Sequence, residues 1–170
     1  RAFDARVVYV DREPLAGTCE RELGARRVSL PELLSASDVV VPLVPLSEST
    51  YHLLGAGALG QLRPGAVVVN AGRGSVVDEE AVAGALEAGR LGGYAADVFA
   101  FEDQRSAGRP AGIPERLLAH PRTVFTPHLG SAIDAVRREM GLAMAAQVRQ
   151  ALAGQRPDGA VNEIGTRCGA

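Results

Sequence analysis

The chain has 170 residues, of which 46% are hydrophobic and 4% aromatic, and its formal net charge is −2. That length suits one core and roughly one domain, and the weakly acidic balance excludes nucleic acid as the default partner. No apolar run approaches membrane-spanning length, and no signal peptide is visible.

Cys19 and Cys168 stand far apart and match no metal or redox spacing, so they read as two free thiols in a reducing, cytoplasmic compartment. The chain opens on Arg1 rather than Met. Residues 1–5 read as the end of a helix, so the sequence reads as a fragment of a longer protein. Residues 6–10 form the first strand-like run. Ser29-Leu30-Pro31-Glu32 is a capping-box pattern that opens a short helix, and residues 38–41 follow as a strand. A short helical segment lies within 50–62 and is ended by Arg63-Pro64-Gly65. The run 66–70 is the third clear strand. Residues 78–88 form a helix, with Gly89 as its C-cap. Strands follow at 92–97 and 123–126. The segment 99–119 is too long for a plain connection. Ser131-Ala132-Ile133-Asp134 opens a long helix whose residues Ile133, Val136, Met140, Met144 and Val148 share one face, and Gly154 ends it. Residues 155–170 read as a polar, poorly ordered tail.

Strand and helix alternate in steps of a few dozen residues, the signature of βαβ units in a doubly wound parallel α/β sheet. In such sheets ligands bind beyond the carboxyl ends of the strands. Arg73 stands there, in Asn70-Ala71-Gly72-Arg73-Gly74, on a turn after the strand 66–70. Its planar, permanently charged fork matches an oxyanion; a solvated turn arginine is the plain alternative. Glu102 and His128 also follow predicted strands, and a histidine served by a carboxylate is an effective general acid/base. Of the three histidines only His128 lies just past a strand and before a helix start. His52 reads as structural and His120 as a loop residue.

Asp11 ends the first strand. In a dinucleotide fold an acid at that place bonds the ribose hydroxyls and favours NAD, while Arg12 beside it leaves NADP open. A turn residue is the alternative for Asp11. The Gly-x-Gly-x-x-Gly loop that should stand some 20 residues upstream does not occur in this chain. Prolines at 42 and 45 form a rigid wall after the strand 38–41. Asp97 ends its strand at a place suited to a nicotinamide amide or ring edge.

Asn70 to Asp78 with its Gly-Arg-Gly, Ala96-Asp97-Val98-Phe99 and Thr126-Pro127-His128-Leu129-Gly130 resemble the NAD-dependent D-2-hydroxyacid dehydrogenases, in order, over nearly the whole chain. The resemblance implies a Rossmann-like sheet lacking its first strand and glycine loop. The dinucleotide-binding part would be 1–130, and the helix of 131–154 would pack toward a substrate domain outside the chain. It implies that Arg73 binds the substrate anion and that Glu102 and His128 form the acid/base dyad. Asp11, Arg12, Pro45, Ala71, Gly72, Asp97, His128 and Gly130 would line the cofactor.

Within that family the chain most resembles the phosphonate (phosphite) dehydrogenases. Glu102-Asp103 stands where other members usually have Glu-Pro, and Ala135-Val136-Arg137 matches as well. That resemblance makes Arg137 a second anion contact and implies oxidation of phosphite to phosphate, with NAD as hydride acceptor, in a cytoplasmic homodimer. A glyoxylate or hydroxypyruvate reductase, a corepressor-like binding module and an inactive fragment are the competing readings. None of them calls for a metal, a membrane or a nucleic acid.

Overall fold

The computed structural model describes residues 4–104 and 108–161. In chain order these form β1 (Val7–Tyr9), α1 (Gly17–Leu23), β2 (Ala25–Arg27), α2 (Leu30–Ala36), β3 (Val39–Val40), α3 (Ala56–Leu59), β4 (Ala66–Asn70), α4 (Glu79–Glu87), β5 (Leu91–Ala96), α5 (Glu115–Leu118), β6 (Thr123–Phe125) and α6 (Asp134–Leu152). Two 3-10 turns, Gly74–Val76 and Ala100–Glu102, follow β4 and β5. The chain divides into two compact units, Arg1–Pro127 and His128–Ala170.

The strands of the first unit pair only in parallel. They make two sheets, β1-β2 and β3-β4-β5-β6, rather than one continuous sheet. Among the described residues β3 pairs on one side only, with β4, and Val39 on it is 55% exposed. A sheet that lacks its first strand, as the resemblance implies, leaves an unpaired edge of this kind.

β4 is one of the two inner strands of the larger sheet. Its alternate residues Ala66, Val68 and Asn70 are buried, the period of two that a pleated strand imposes. The core gathers Leu34, Leu54, Leu59, Leu62, Leu86, Leu91, Tyr94 and Leu117 around it. Burying one such side chain stabilises the fold by roughly 1.5–3 kcal/mol.

Local signals explain the starts of α2 and α4 and the stop of α4. Ser29 accepts a hydrogen bond from the Glu32 amide at 3.3 Å, and Pro31 stands in the first turn of α2. Asp78 caps α4 by accepting from the Ala81 amide at 3.1 Å. Gly89, just past that helix, takes a positive φ of 69°, which a side chain disfavours.

Several elements escape the sequence reading. α1 and β2 are short and polar, with no buried residue. α5 is a four-residue helix inside the segment 99–119, held by buried Leu117. The expected helix end at 1–5 is not formed at Asp4 and Ala5, and Asp4 has a positive φ of 51°; residues 1–3 lie outside the described residues. So do residues 162–170 of the expected tail, Cys168 among them. Cys19 is a free thiol.

In the second unit α6 has no buried residue. Its apolar stripe, with Met140, Met144 and Val148, is exposed. No helix among the described residues is long and apolar enough to cross a membrane.

Candidate functional site

The parallel register puts the ends of β3, β4, β5 and β6 on one edge of the larger sheet. The edge carries the segment from Pro42 to Pro45, the turn from Asn70 to Arg73, Asp97, and Thr126. The ladder continues into these residues: the Asp97 amide donates to the Asn70 carbonyl and the Thr126 amide to the Ala96 carbonyl, both at 3.0 Å. The Thr126 hydroxyl donates to Asp97 Oδ1, so the residue just past β6 aims the carboxylate just past β5. Pro42 is buried and Pro45 exposed.

Asn70 is fully buried and builds the turn that bears Arg73. Its Nδ2 donates to the Arg73 carbonyl at 3.0 Å and reaches the Gly74 carbonyl at 3.4 Å. Its Oδ1 accepts from the Gly72 amide at 3.2 Å. Every polar atom of this amide thus serves the turn, which is how a buried side chain avoids a desolvation cost. A β-carbon on Gly72 would lie 2.7 Å from the Pro42 carbonyl oxygen, so the turn packs directly on the proline segment. Arg73 itself is exposed, and its Nη1 donates to the Gly72 carbonyl at 2.7 Å.

The two 3-10 turns meet. Asp103 Oδ2 accepts from the Ser75 amide at 2.7 Å, and Glu79 Oε1 accepts from the Ala100 amide at 2.8 Å. Arg73 precedes the first turn and Glu102 ends the second. Glu79 is buried, and its Oε2 has no hydrogen-bond partner among the described residues. Burial pushes its carboxyl above the usual range; the Ala100 amide opposes this, and the nearby carboxylates Asp103, Glu102 and Asp78 add to it. Burial likewise pushes the Tyr94 hydroxyl upward. Nothing in the sequence marks Glu79 as buried. It stands in the first turn of α4, where an acid ordinarily faces solvent beside the helix dipole.

Asp11 and Arg12, after β1, are exposed. Arg27 Nη2 donates to both of their carbonyls, at 2.7 and 2.6 Å, a brace that sequence reading missed. Together with Val28, Ser29 and Glu32, Asp11 and Arg27 line a shallow concavity at this corner. His52 lies 3.6 Å from Asp78 through Nδ1 and stacks on Tyr51. His120 Nδ1 accepts from the Arg122 amide at 3.2 Å in the loop before β6.

The second unit carries His128, Gly130 and Arg137. His128 is exposed, with a positive φ of 54°, an uncommon conformation for a residue with a β-carbon. Arg137 lies in the first turns of α6, where its Nε donates to the Ser131 carbonyl at 3.2 Å.

Comparison with known proteins gives a consistent picture. The family model described as "D-isomer specific 2-hydroxyacid dehydrogenase, NAD binding domain" matches residues 1–130. Glyoxylate/hydroxypyruvate reductase B of Yersinia enterocolitica is 36% identical over 160 residues, covering 94% of this chain and 47% of that protein. A crystal structure of a glyoxylate reductase from Paecilomyes thermophila superposes with a TM-score of 0.78 at 32% identity, over 91% of this chain and 44% of that one. A putative D-isomer specific 2-hydroxyacid dehydrogenase from Polaromonas sp. JS6 66 superposes with a TM-score of 0.84 at 27% identity, over 95% and 48%. The chain spans about half the length of the curated relatives it matches.

Proposed function

The chain belongs to the D-isomer specific 2-hydroxyacid dehydrogenases through their NAD-binding domain, and from that premise we propose that the intact protein reduces a small 2-oxo acid of the glyoxylate or hydroxypyruvate kind. The observation that carries this reading is the turn held by Asn70, which presents one arginine at the carboxyl edge of the sheet and joins it to the turn of Glu102. The relative at 36% identity bears that activity in its name.

The residues of this edge suit NAD. A β-carbon on Gly72 would meet the Pro42 carbonyl oxygen, Asp97 is oriented by Thr126, and Asp11 lies on the loop after β1. When bound in its reduced form, NADH, the cofactor would supply the hydride. Asp11 would hold the ribose hydroxyls, with Arg12 allowing some NADP; Pro45, Ala71, Gly72 and Gly130 would line the cofactor, and Asp97 its nicotinamide end. The Arg73 fork would hold the substrate carboxylate through paired charge-assisted hydrogen bonds. His128 would give a proton to the oxygen that becomes the hydroxyl, and Glu102 would support its imidazolium form.

Oxidation of phosphite is the second reading. It is favoured by Asp103, which stands where most members have proline, and it gives Arg137 the role of second anion contact. The comparisons support the 2-oxo acid instead. The reading also takes the intact protein as a cytoplasmic homodimer, with the apolar stripe of α6 facing its substrate domain.

The test is steady-state kinetics of the full-length protein with glyoxylate and hydroxypyruvate plus NADH, and with phosphite plus NAD. Turnover of an oxo acid, falling about ten- to a hundredfold in kcat/KM in Arg73→Lys, is the expected result. Faster turnover of phosphite would replace the main reading with the second. No turnover of either would leave a binding module.

A further inference from the structure

We propose that Asp103 is a positioning residue that sets the Arg73 turn against the Glu102 turn, and so fixes where the anion-binding fork stands relative to the acid. The inference rests on the functional reading above.

Two backbone segments more than twenty residues apart exchange side-chain caps. Asp103, at the end of the turn Ala100–Glu102, accepts the Ser75 amide of the turn Gly74–Val76 at 2.7 Å. Glu79, just beyond that first turn, accepts the Ala100 amide at the start of the second at 2.8 Å. Each segment thus satisfies an orphan N–H of the other, the logic of a capping box applied between segments distant in sequence. A 3-10 turn leaves its first amides without internal partners, so neither turn is complete alone. The approach is close: a β-carbon on Gly74 would lie 1.9 Å from the Phe99 carbonyl carbon. Arg73 and Glu102 are each close in sequence to a clamped residue, so a shift of one turn moves one functional side chain relative to the other.

The two clamps are not equivalent. Glu79 is buried, at 4% exposure, and belongs to the body of α4. Asp103 is only half-buried. Its loss leaves the Ser75 amide without its partner but removes little core. A charged acceptor bond of this kind is the stronger sort, and small displacements of a positioning group lower rates steeply.

The experiment uses the full-length protein with Asp103→Ala and Asp103→Asn. Amide exchange at Ser75 should quicken at least tenfold in Asp103→Ala while exchange at Ala100 holds. KM for the oxo acid should rise about tenfold with a smaller fall in kcat, and Kd for NADH should not change. Asp103→Asn keeps an oxygen acceptor and should recover most of the loss in KM. Unchanged exchange at Ser75, an unchanged KM, or a fall in kcat alone that tracks a lower Tm would each overturn the proposal. A wild-type protein without turnover overturns the functional reading, and with it the role in the reaction. Exchange at Ser75 tests the clamp itself, whatever the substrate.

Discussion

Gly74 lies so close to Phe99 that a β-carbon on it would stand 1.9 Å from the Phe99 carbonyl carbon. Backbone, not a flexible side chain, occupies the space. Gly74→Ala should therefore destabilise the fold by roughly 3 kcal/mol, the upper part of the range for overpacking. Gly84, inside α4, has open space around its missing β-carbon, and Gly84→Ala should stabilise by roughly 0.5–1 kcal/mol. Thermal unfolding of the pair is the check. Equal effects at both sites would contradict the close approach.

Asn70→Asp probes the turn under Arg73. The aspartate keeps an acceptor for the Gly72 amide but loses the N–H donors to the Arg73 and Gly74 carbonyls. Ionised, it sets negative charge against two carbonyl oxygens; protonated, it regains one donor. The variant should lose roughly 1–3 kcal/mol of stability, and lose more at pH 8 than at pH 5. Urea unfolding at the two pH values measures this.

Glu79 provides a pH signature with a definite sign. Its folded carboxyl titrates above the ordinary range, chiefly through burial. A carboxyl raised in the folded state contributes stability that is whole below its unfolded pKa and is lost as pH rises through the folded pKa. Glu79→Gln keeps a carbonyl for the Ala100 amide and removes the titration. Relative to wild type it should gain stability between pH 4 and pH 8, because only the wild type must ionise a buried carboxyl as the pH rises. A difference in Tm that does not vary with pH would count against the shift.

Asp11 and Arg12 govern the choice of dinucleotide. Asp11→Ala in the full-length protein should move the ratio of kcat/KM toward NADP by about tenfold, the equivalent of ~1.4 kcal/mol, because a carboxylate repels a 2′-phosphate. Arg27 braces both carbonyls of this corner, so Arg27→Ala should weaken binding of both dinucleotides without changing their ratio. Kinetics with each cofactor separates the two roles.

Local chemistry determined much of this protein. A buried run of Ala and Val ending in Asn70, the Asp78 cap, Gly89 after α4 and the Ser29 box are signals carried by adjacent residues, and the structure forms β4, α4 and α2 where they stand. The parallel α/β class followed from their alternation, and Arg73 was legible because its place after β4 is set by that strand alone. Tertiary structure decided what adjacent residues could not. β2 has no buried residue to mark it and forms by pairing with β1. The strands form two sheets, β1-β2 and β3-β4-β5-β6, where the sequence suggested one. Nothing in the sequence marks Asp103 or Glu79 as a cap, yet each accepts from an amide more than twenty residues away. Hydrogen bonds between distant segments depend on how the backbone folds back, and no spacing along the chain encodes that. The pattern of residues therefore announced which side chains are candidates for the chemistry, while long-range packing determined how two of their supporting turns are held together.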